Sequence, residues 1–425
     1  MNKPARKPPA WWVPSLYFAE GLPFNTVTLV SAVMYKNMGL PNDVIAWHTG
    51  LLYLPWTIKP FWAPLTEMWK TKRHWVLGTQ VLMALTLGCV ALALPLPSFM
   101  PLTLAFFWVT AFLSSTHDIA ADGLYINVMS HKEQSKWAGV QGIFWDGARL
   151  LATGPLVAAS GLLYDRSGSW VSAWVTILAI IAVLMLVLSG WHLKVLPQDS
   201  RAVDTPRTFR QAAATFWDTL RTFFAKPGIW GMIIFIVLFR SGEGFLEKMG
   251  PLFMMDGDVA GGLGLTNQSL GNLNTYGTAA FAVGALVGGF TVARWTLERT
   301  LFVLCLALNV PNLTFVYLSY AMPQDLWVVG FWVIVEKFGY GIGSVGHMLY
   351  MMQQLAPGRY PTAHYAFGTA LMALGLMIPS SISGDVQMAM GYKSFFVFVL
   401  FASVPSLVAT WFAPFRIKDG QPVRA

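Results

Sequence analysis

The sequence predicts an all-α membrane protein, with twelve transmembrane helices arranged as two pseudo-symmetric six-helix halves. Three observations lead there. Of the 425 residues, 55% are apolar and only 11% are charged, at a mean hydropathy of +0.54. Soluble chains carry about 25% charged residues, so this chain has too few charges to coat a water-facing surface. Apolar stretches near 20 residues recur along its length, which is what a helix needs to cross a hydrocarbon core of about 30 Å. The basic residues then alternate in density between successive polar breaks.

Reading apolar runs between those breaks gives spans at 11–34, 46–66, 75–95, 102–125, 138–163 and 170–190. A second set lies at 229–255, 268–292, 300–320, 326–350, 363–385 and 394–415. The start, "MNKPARKPPAWWVPSLYFAEGLPF", is basic and then apolar without a small-residue cleavage site, and reads as a tail entering the first helix. With that tail inside, twenty Lys and Arg fall in cytoplasmic segments, among them Lys70, Lys72, Arg73, Arg207, Arg210, Arg221 and Lys226. The opposite side holds three, Lys36, Arg166 and Lys393. This bias predicts a multi-pass membrane protein with both termini cytoplasmic. It also accounts for the net charge of +8 as a topology signal, with no nucleic acid implied.

The longest polar stretch, 192–228, separates an N-terminal half (1–191) from a C-terminal half (229–425). Within it, residues 208–224 place Phe209, Ala213, Phe216, Leu220 and Phe223 at helical spacing, with Arg210 and Arg221 off that stripe. The pattern predicts an amphipathic helix on the inner membrane surface, or packed as a linker. The halves also repeat. "FAEGLPF" precedes "SGEGFLE" by 223 residues, aligning Glu20 with Glu243, and Leu124-Tyr125 of "GLYINVM" precedes Leu349-Tyr350 of "HMLYMMQ" by 225. Two matches at nearly one offset predict duplicated halves related by an axis along the membrane normal, as in major facilitator transporters.

Charges within spans are costly, at roughly 2.5–3.5 kcal/mol for Asp, Lys or Arg at a helix centre, and normally mark substrate or proton pathways. The spans contain Glu20, Asp118, Asp122, Asp146, Arg149, Arg240, Glu243, Glu247, Glu336, Lys337 and Asp385. Asp118 and Asp122 share one helix face at i, i+4. Two acids one turn apart in a poorly hydrated site cannot both ionise cheaply, which suits them to bind and release a proton. Glu20 has no basic residue within a turn on its own helix and is a third proton-coupling candidate. Both Asp146 with Arg149 and Arg240 with Glu243 have the i, i+3 spacing of pairs within one span. With Glu336 they are candidates for substrate binding or charge pairing, Arg149 being suited to bidentate anion binding. His117 is a possible relay beside the acids or a packing residue, and Trp145 a possible sugar contact or helix contact. For Glu247, Lys248, Lys337 and Asp385, interfacial placement or structural pairing competes equally with a functional role.

The remaining features are structural. Trp11, Trp12, Trp75, Trp170 and Trp327 lie near span ends, as in an interfacial belt. The glycine-rich "FGYGIGSVGHMLY" (338–350) sits in an apolar run without Gly-Lys-Ser/Thr, and reads as close helix packing. Cys89 and Cys305 lie in apolar runs as small packing residues. No HExxH pair or Cys/His cluster implies a metal.

Several of these segments together resemble the AmpG-type muropeptide permeases of the major facilitator superfamily, a group also similar to acetyl-CoA transporters. The pieces are "GLP" (21–23), "KPFWAPLTEMW" (59–69) and "SSTHDIAADG" (114–123), the last similar to a family S-x-x-Q-D-x-x-x-D segment with Asp118 and Asp122 in its acidic positions. Arg149, "LFRSGEGF" (238–245), Glu336 and "PTAHYAFGTAL" (361–371) follow in order. This sequence departs at His117, where the family has Gln, at Glu20, where it has a small residue, and at Glu67, which replaces Asp. Glu67 lies in a gating loop with Lys70, Lys72 and Arg73 as its basic partners. The resemblance implies a monomeric secondary transporter in the lipid bilayer, importing a small glycan-derived solute such as a muropeptide. A proton gradient would supply the energy, with no cofactor and no enzymatic activity. Other solutes (an oligosaccharide, a siderophore or an acyl-CoA compound) remain open, as does a membrane acyltransferase using His117 and Asp118.

Overall fold

A computed structural model of the chain describes residues 7–63, 66, 70–199, 208–415, 417–418 and 421–422. Among them, eight helices are long and apolar enough to cross a membrane. The difference from twelve arises because one of the eight holds two spans and three further spans fall short of that length or apolarity. The last of the eight, Pro361–Trp411, contains two spans, because Gly391 leaves helical geometry at φ 72°, ψ 162°, a region only glycine enters freely. Spans one, two and five are interrupted helices.

In the first span, Val13–Asn25 is followed by a π-helical turn, Thr26–Val30, and then Ser31–Asn37. Pro23 lies inside the helix and has no N–H to donate. The local side chains cover the carbonyls: Asn25 donates to Gly21 O (2.7 Å), Thr26 to Leu22 O (2.7 Å) and Thr28 to Phe24 O (2.8 Å). These bonds keep polar side chains on the helix's own backbone within the hydrocarbon. The second span runs Asn42–Leu51, turns, and continues Leu54–Ile58. The fifth runs His131–Thr153 and Pro155–Ser167, divided at Gly154. The fifth-span helix therefore starts at His131, before the apolar run expected at 138–163. Ser130 and Glu133 form a reciprocal capping box, and this nucleates the helix two turns before the apolar run begins. In the seventh span Ile229–Leu238 and Ser241–Met255 are separated at Arg240, where φ is −111° and ψ 24°.

Two compact units result. One comprises Met1–Ser31 and Phe61–Phe216, the other Ala32–Pro60 and Trp217–Ala425. The first is centred on Trp12, Leu16, Tyr17, Val76, Leu124 and Val195, all buried. Trp12, expected in an interfacial belt, is thus a core residue, whereas Trp327 is 87% exposed. The second unit packs Met232, Phe235, Phe239, Leu304, Leu308 and Tyr350. Its glycine-rich tenth span acts as predicted: a Cβ on Gly341 would strike the Phe281 backbone of the eighth span, and one on Gly339 or Gly343 would strike the ninth. The linker forms the helix Phe209–Phe224. Its later part is held within the second unit by Asp218, which pairs with Arg359 (2.9 Å) and accepts from Tyr360 (2.6 Å). That acceptance raises the phenol's pKa.

Candidate functional site

In the first unit, the candidate residues Glu20, Asp118, Asp122, Trp145, Asp146 and Arg149 lie on the first, fourth and fifth spans. Glu20 is buried at 8% exposure. A Cβ on neighbouring Gly21 would come within 2.8 Å of the Trp145 carbonyl oxygen and 3.1 Å of Ala148 Cβ. The first and fifth spans therefore touch backbone to backbone beside Glu20, an approach only glycine permits. Trp145 packs its ring 5.4 Å from that of Phe24. Asp146 and Arg149 follow on the same helix, both half-buried, and their charges interact.

On the fourth span, Asp122 is exposed and Asp118 half-buried. Tyr17 donates to Asp122 Oδ1 at 2.9 Å, tying this acid to the first span three residues before Glu20. His117 faces elsewhere. It is fully buried, with Nε2 2.9 Å from Gln80 Nε2. Gln80 Oε1 lies 2.9 Å from His192 Nδ1, and His192 Nε2 lies 2.9 Å from Ser15 Oγ. This chain joins the first, third, fourth and sixth spans through buried polar groups. Gln80 and His192 were missed in the sequence; a lone Gln inside the apolar third span was the available signal.

Of the expected gating residues, Glu67 lies outside the described residues. Lys70 takes a positive φ of 59°. Lys72 and Arg73 begin the third-span helix, where the Asp199 carboxylate accepts the Lys72 N–H (2.8 Å) and the Arg73 N–H (3.3 Å). A carboxylate there satisfies orphan donors and complements the helix dipole. The side chains also have partners: Lys72 Nζ donates to Thr66 (2.9 Å), and Arg73 to the Leu193 carbonyl (2.7 Å).

The second unit gathers a separate charge cluster on the seventh and tenth spans. Glu243 and Glu336 are buried at 0% and 1% exposure. Lys337 Nζ pairs with Glu336 at 3.1 Å. Arg240 donates to the Tyr340 hydroxyl and lies 5.0 Å from that ring's centroid. The expected Arg240–Glu243 pair is not closed by a hydrogen bond. Arg240, with non-helical backbone at the span's break, is instead turned onto Tyr340. Glu247 is half-buried. Lys248, 2% exposed, donates to Thr49 of the second span at 2.9 Å. Asp385 is exposed.

A further polar network in this unit was not anticipated. Asp256 pairs with Lys36 and accepts from Asn42 (3.0 Å) and Tyr392 (2.6 Å). Asn42 also donates to Gln387 (2.9 Å) and accepts from Lys36 (2.8 Å). Together these tie the ends of the first, second, seventh, eleventh and twelfth spans. Nothing in the described residues groups three His, Cys, Asp or Glu as metal ligands.

The sequence profile described as the Major Facilitator Superfamily matches residues 15–384. The chain belongs to this superfamily. A relative carrying the name "Anhydromuropeptide permease", from Escherichia coli (strain K12), is 26% identical over 403 residues, covering 92% of this chain and 77% of the relative. "Putative transporter AmpG 4" of Rickettsia conorii is 24% identical over 407 residues, covering 92% and 93%. The AmpG-type resemblance read from collinear segments is thereby borne out. Among solved structures, a D-xylose-proton symporter superposes with a TM-score of 0.70 at 11% identity, over 97% of this chain and 98% of that one. A bacterial homologue of the lysosomal transporter Spinster gives 0.69 at 14%, over 94% and 96%. These similarities establish the twelve-span superfamily fold, and the chain is a multi-pass membrane transporter of a small solute.

Proposed function

We propose that this superfamily member imports a muropeptide across the bacterial inner membrane, driven by a proton gradient and needing no cofactor. The near full-length match to a protein named for anhydromuropeptide transport carries the substrate class. Coupling is supported by the carboxyls placed within spans, Asp118 with Asp122 first among them. An acid within a span that gains and loses a proton without losing the fold is what a symporter requires. Arg149 offers a guanidinium group for a substrate carboxylate. The twenty-to-three distribution of basic residues supports cytoplasmic termini, and we take the working form to be a monomer in the bilayer. The acyltransferase reading is disfavoured because His117 sits against Gln80 and lies within the packed spans.

Purified protein in liposomes, given radiolabelled anhydromuropeptide and an inward pH gradient, should accumulate it above equilibrium. Asp118→Asn or Asp122→Asn should abolish accumulation while leaving the protein folded and inserted. Wild-type protein that fails to take up anhydromuropeptide would refute the substrate. Variants that concentrate it like wild type would assign both acids a structural role.

A further inference from the structure

The geometry assigns to Glu243 a proton-binding site of the second unit, distinct from the Asp118–Asp122 pair. This inference rests on the proton-coupled reading above and extends it to a residue otherwise grouped with substrate binding or charge pairing.

Glu243 is fully buried, and neither carboxyl oxygen has a hydrogen-bond partner among the described residues. The charged groups that act on it are Glu336 and Lys337 from the tenth span, and Glu247 and Arg240 from its own. Both cations are already engaged. Arg240 is turned onto the Tyr340 hydroxyl and ring, and Lys337 is held by Glu336 at 3.1 Å. The eleventh span packs along the same helix at Gly244 and Pro379. What it presents there is Ser380, whose hydroxyl donates to the Gly244 carbonyl at 2.9 Å rather than to the carboxyl.

An ionised carboxylate in this position would be desolvated, without donors and beside a second acid. Each of those conditions favours the neutral form. Binding one proton removes the charge, so Glu243 holds a proton while Arg240 stays on Tyr340. Loss of that proton creates an anion three residues from Arg240 and draws the guanidinium away from the phenol. Tyr340 and Glu243 thus compete for one arginine, and the proton on Glu243 decides between them.

Infrared difference spectroscopy of the purified full chain in lipid reads this directly. Near neutral pH the wild type should show a protonated-carboxyl C=O stretching band. Glu243→Gln should remove it, and Tyr340→Phe, by releasing Arg240 to Glu243, should remove it too. Asp385→Asn, at an exposed acid, should leave it intact. In liposomes, Glu243→Gln should lose pH-driven accumulation and retain substrate exchange. A band unchanged in Glu243→Gln would overturn the assignment. So would a Glu243→Gln protein that fails to fold where Glu243→Asp folds, since that marks an obligatory anion. Wild type inactive toward anhydromuropeptide would refute the substrate reading alone, because the infrared result does not depend on it.

Discussion

Replacing Asp256 tests whether the Lys36–Asn42–Tyr392 network holds the second unit together. The ion pair is largely buried, with side-chain exposures of 17% for Lys36 and 12% for Asp256. Removing one partner of a fully buried pair costs about 3–5 kcal/mol, because the other charge is left without compensation. Here the residual exposure lets water reach Lys36, which also keeps its bond to Asn42 Oδ1 at 2.8 Å. Both effects lower the figure. Against that, Tyr392 loses a 2.6 Å bond to a carboxylate, of a class that contributes about 1.5–3 kcal/mol. The net expectation for Asp256→Ala is about 3 kcal/mol of destabilisation. For Lys36→Met it is about 2 kcal/mol, since Asp256 retains two neutral donors. The double variant should cost less than the sum, with a coupling of about 1–2 kcal/mol. Denaturant titration of the four proteins in one detergent, followed by tryptophan fluorescence, measures this cycle. Coupling indistinguishable from zero would show that the pair contributes nothing beyond its separate parts, and the reasoning would fail.

Gln80→Leu should cost about 2–4 kcal/mol, because it strips buried partners from His117 and His192 together; thermal denaturation beside wild type would register it. Gly21→Ala should destabilise by about 1–3 kcal/mol, because the new methyl meets the Trp145 carbonyl and separates two backbones. Gly88→Ala is the control: with nothing within 4 Å of its Cβ position, it should be neutral or stabilise by up to about 1 kcal/mol. With Cys89 and Cys305 replaced, a cysteine at position 166 should react with an impermeant thiol reagent applied to intact cells. One at position 210 should not, and its labelling from outside would invert the proposed topology.

The sequence by itself determined the number and approximate place of the spans. Hydrocarbon leaves no solvent for an exposed backbone, so a crossing segment must carry its hydrogen bonds internally and be apolar for some twenty residues. That demand is local and one-dimensional, and it is legible even where the helix is broken, as at Thr26–Val30 or Gly154. The sequence also singled out Glu20, Asp118, Asp122, Arg240, Glu243 and Glu336, because charge in an apolar run stands out without any knowledge of neighbours. Only the tertiary structure decided what those charges face. Spacing suggested Glu243 for Arg240, yet the arginine's hydrogen bond goes to Tyr340, 100 residues away. Likewise His117 meets Gln80, which in turn meets His192, and Lys36 finds Asp256 across the unit. A buried polar group takes whichever partner packing brings within about 3 Å. Packing follows from where helices break and where glycines let backbones touch. Residues 32–60 joining the unit built from 217 onward are a product of those contacts, which no periodicity along the chain encodes.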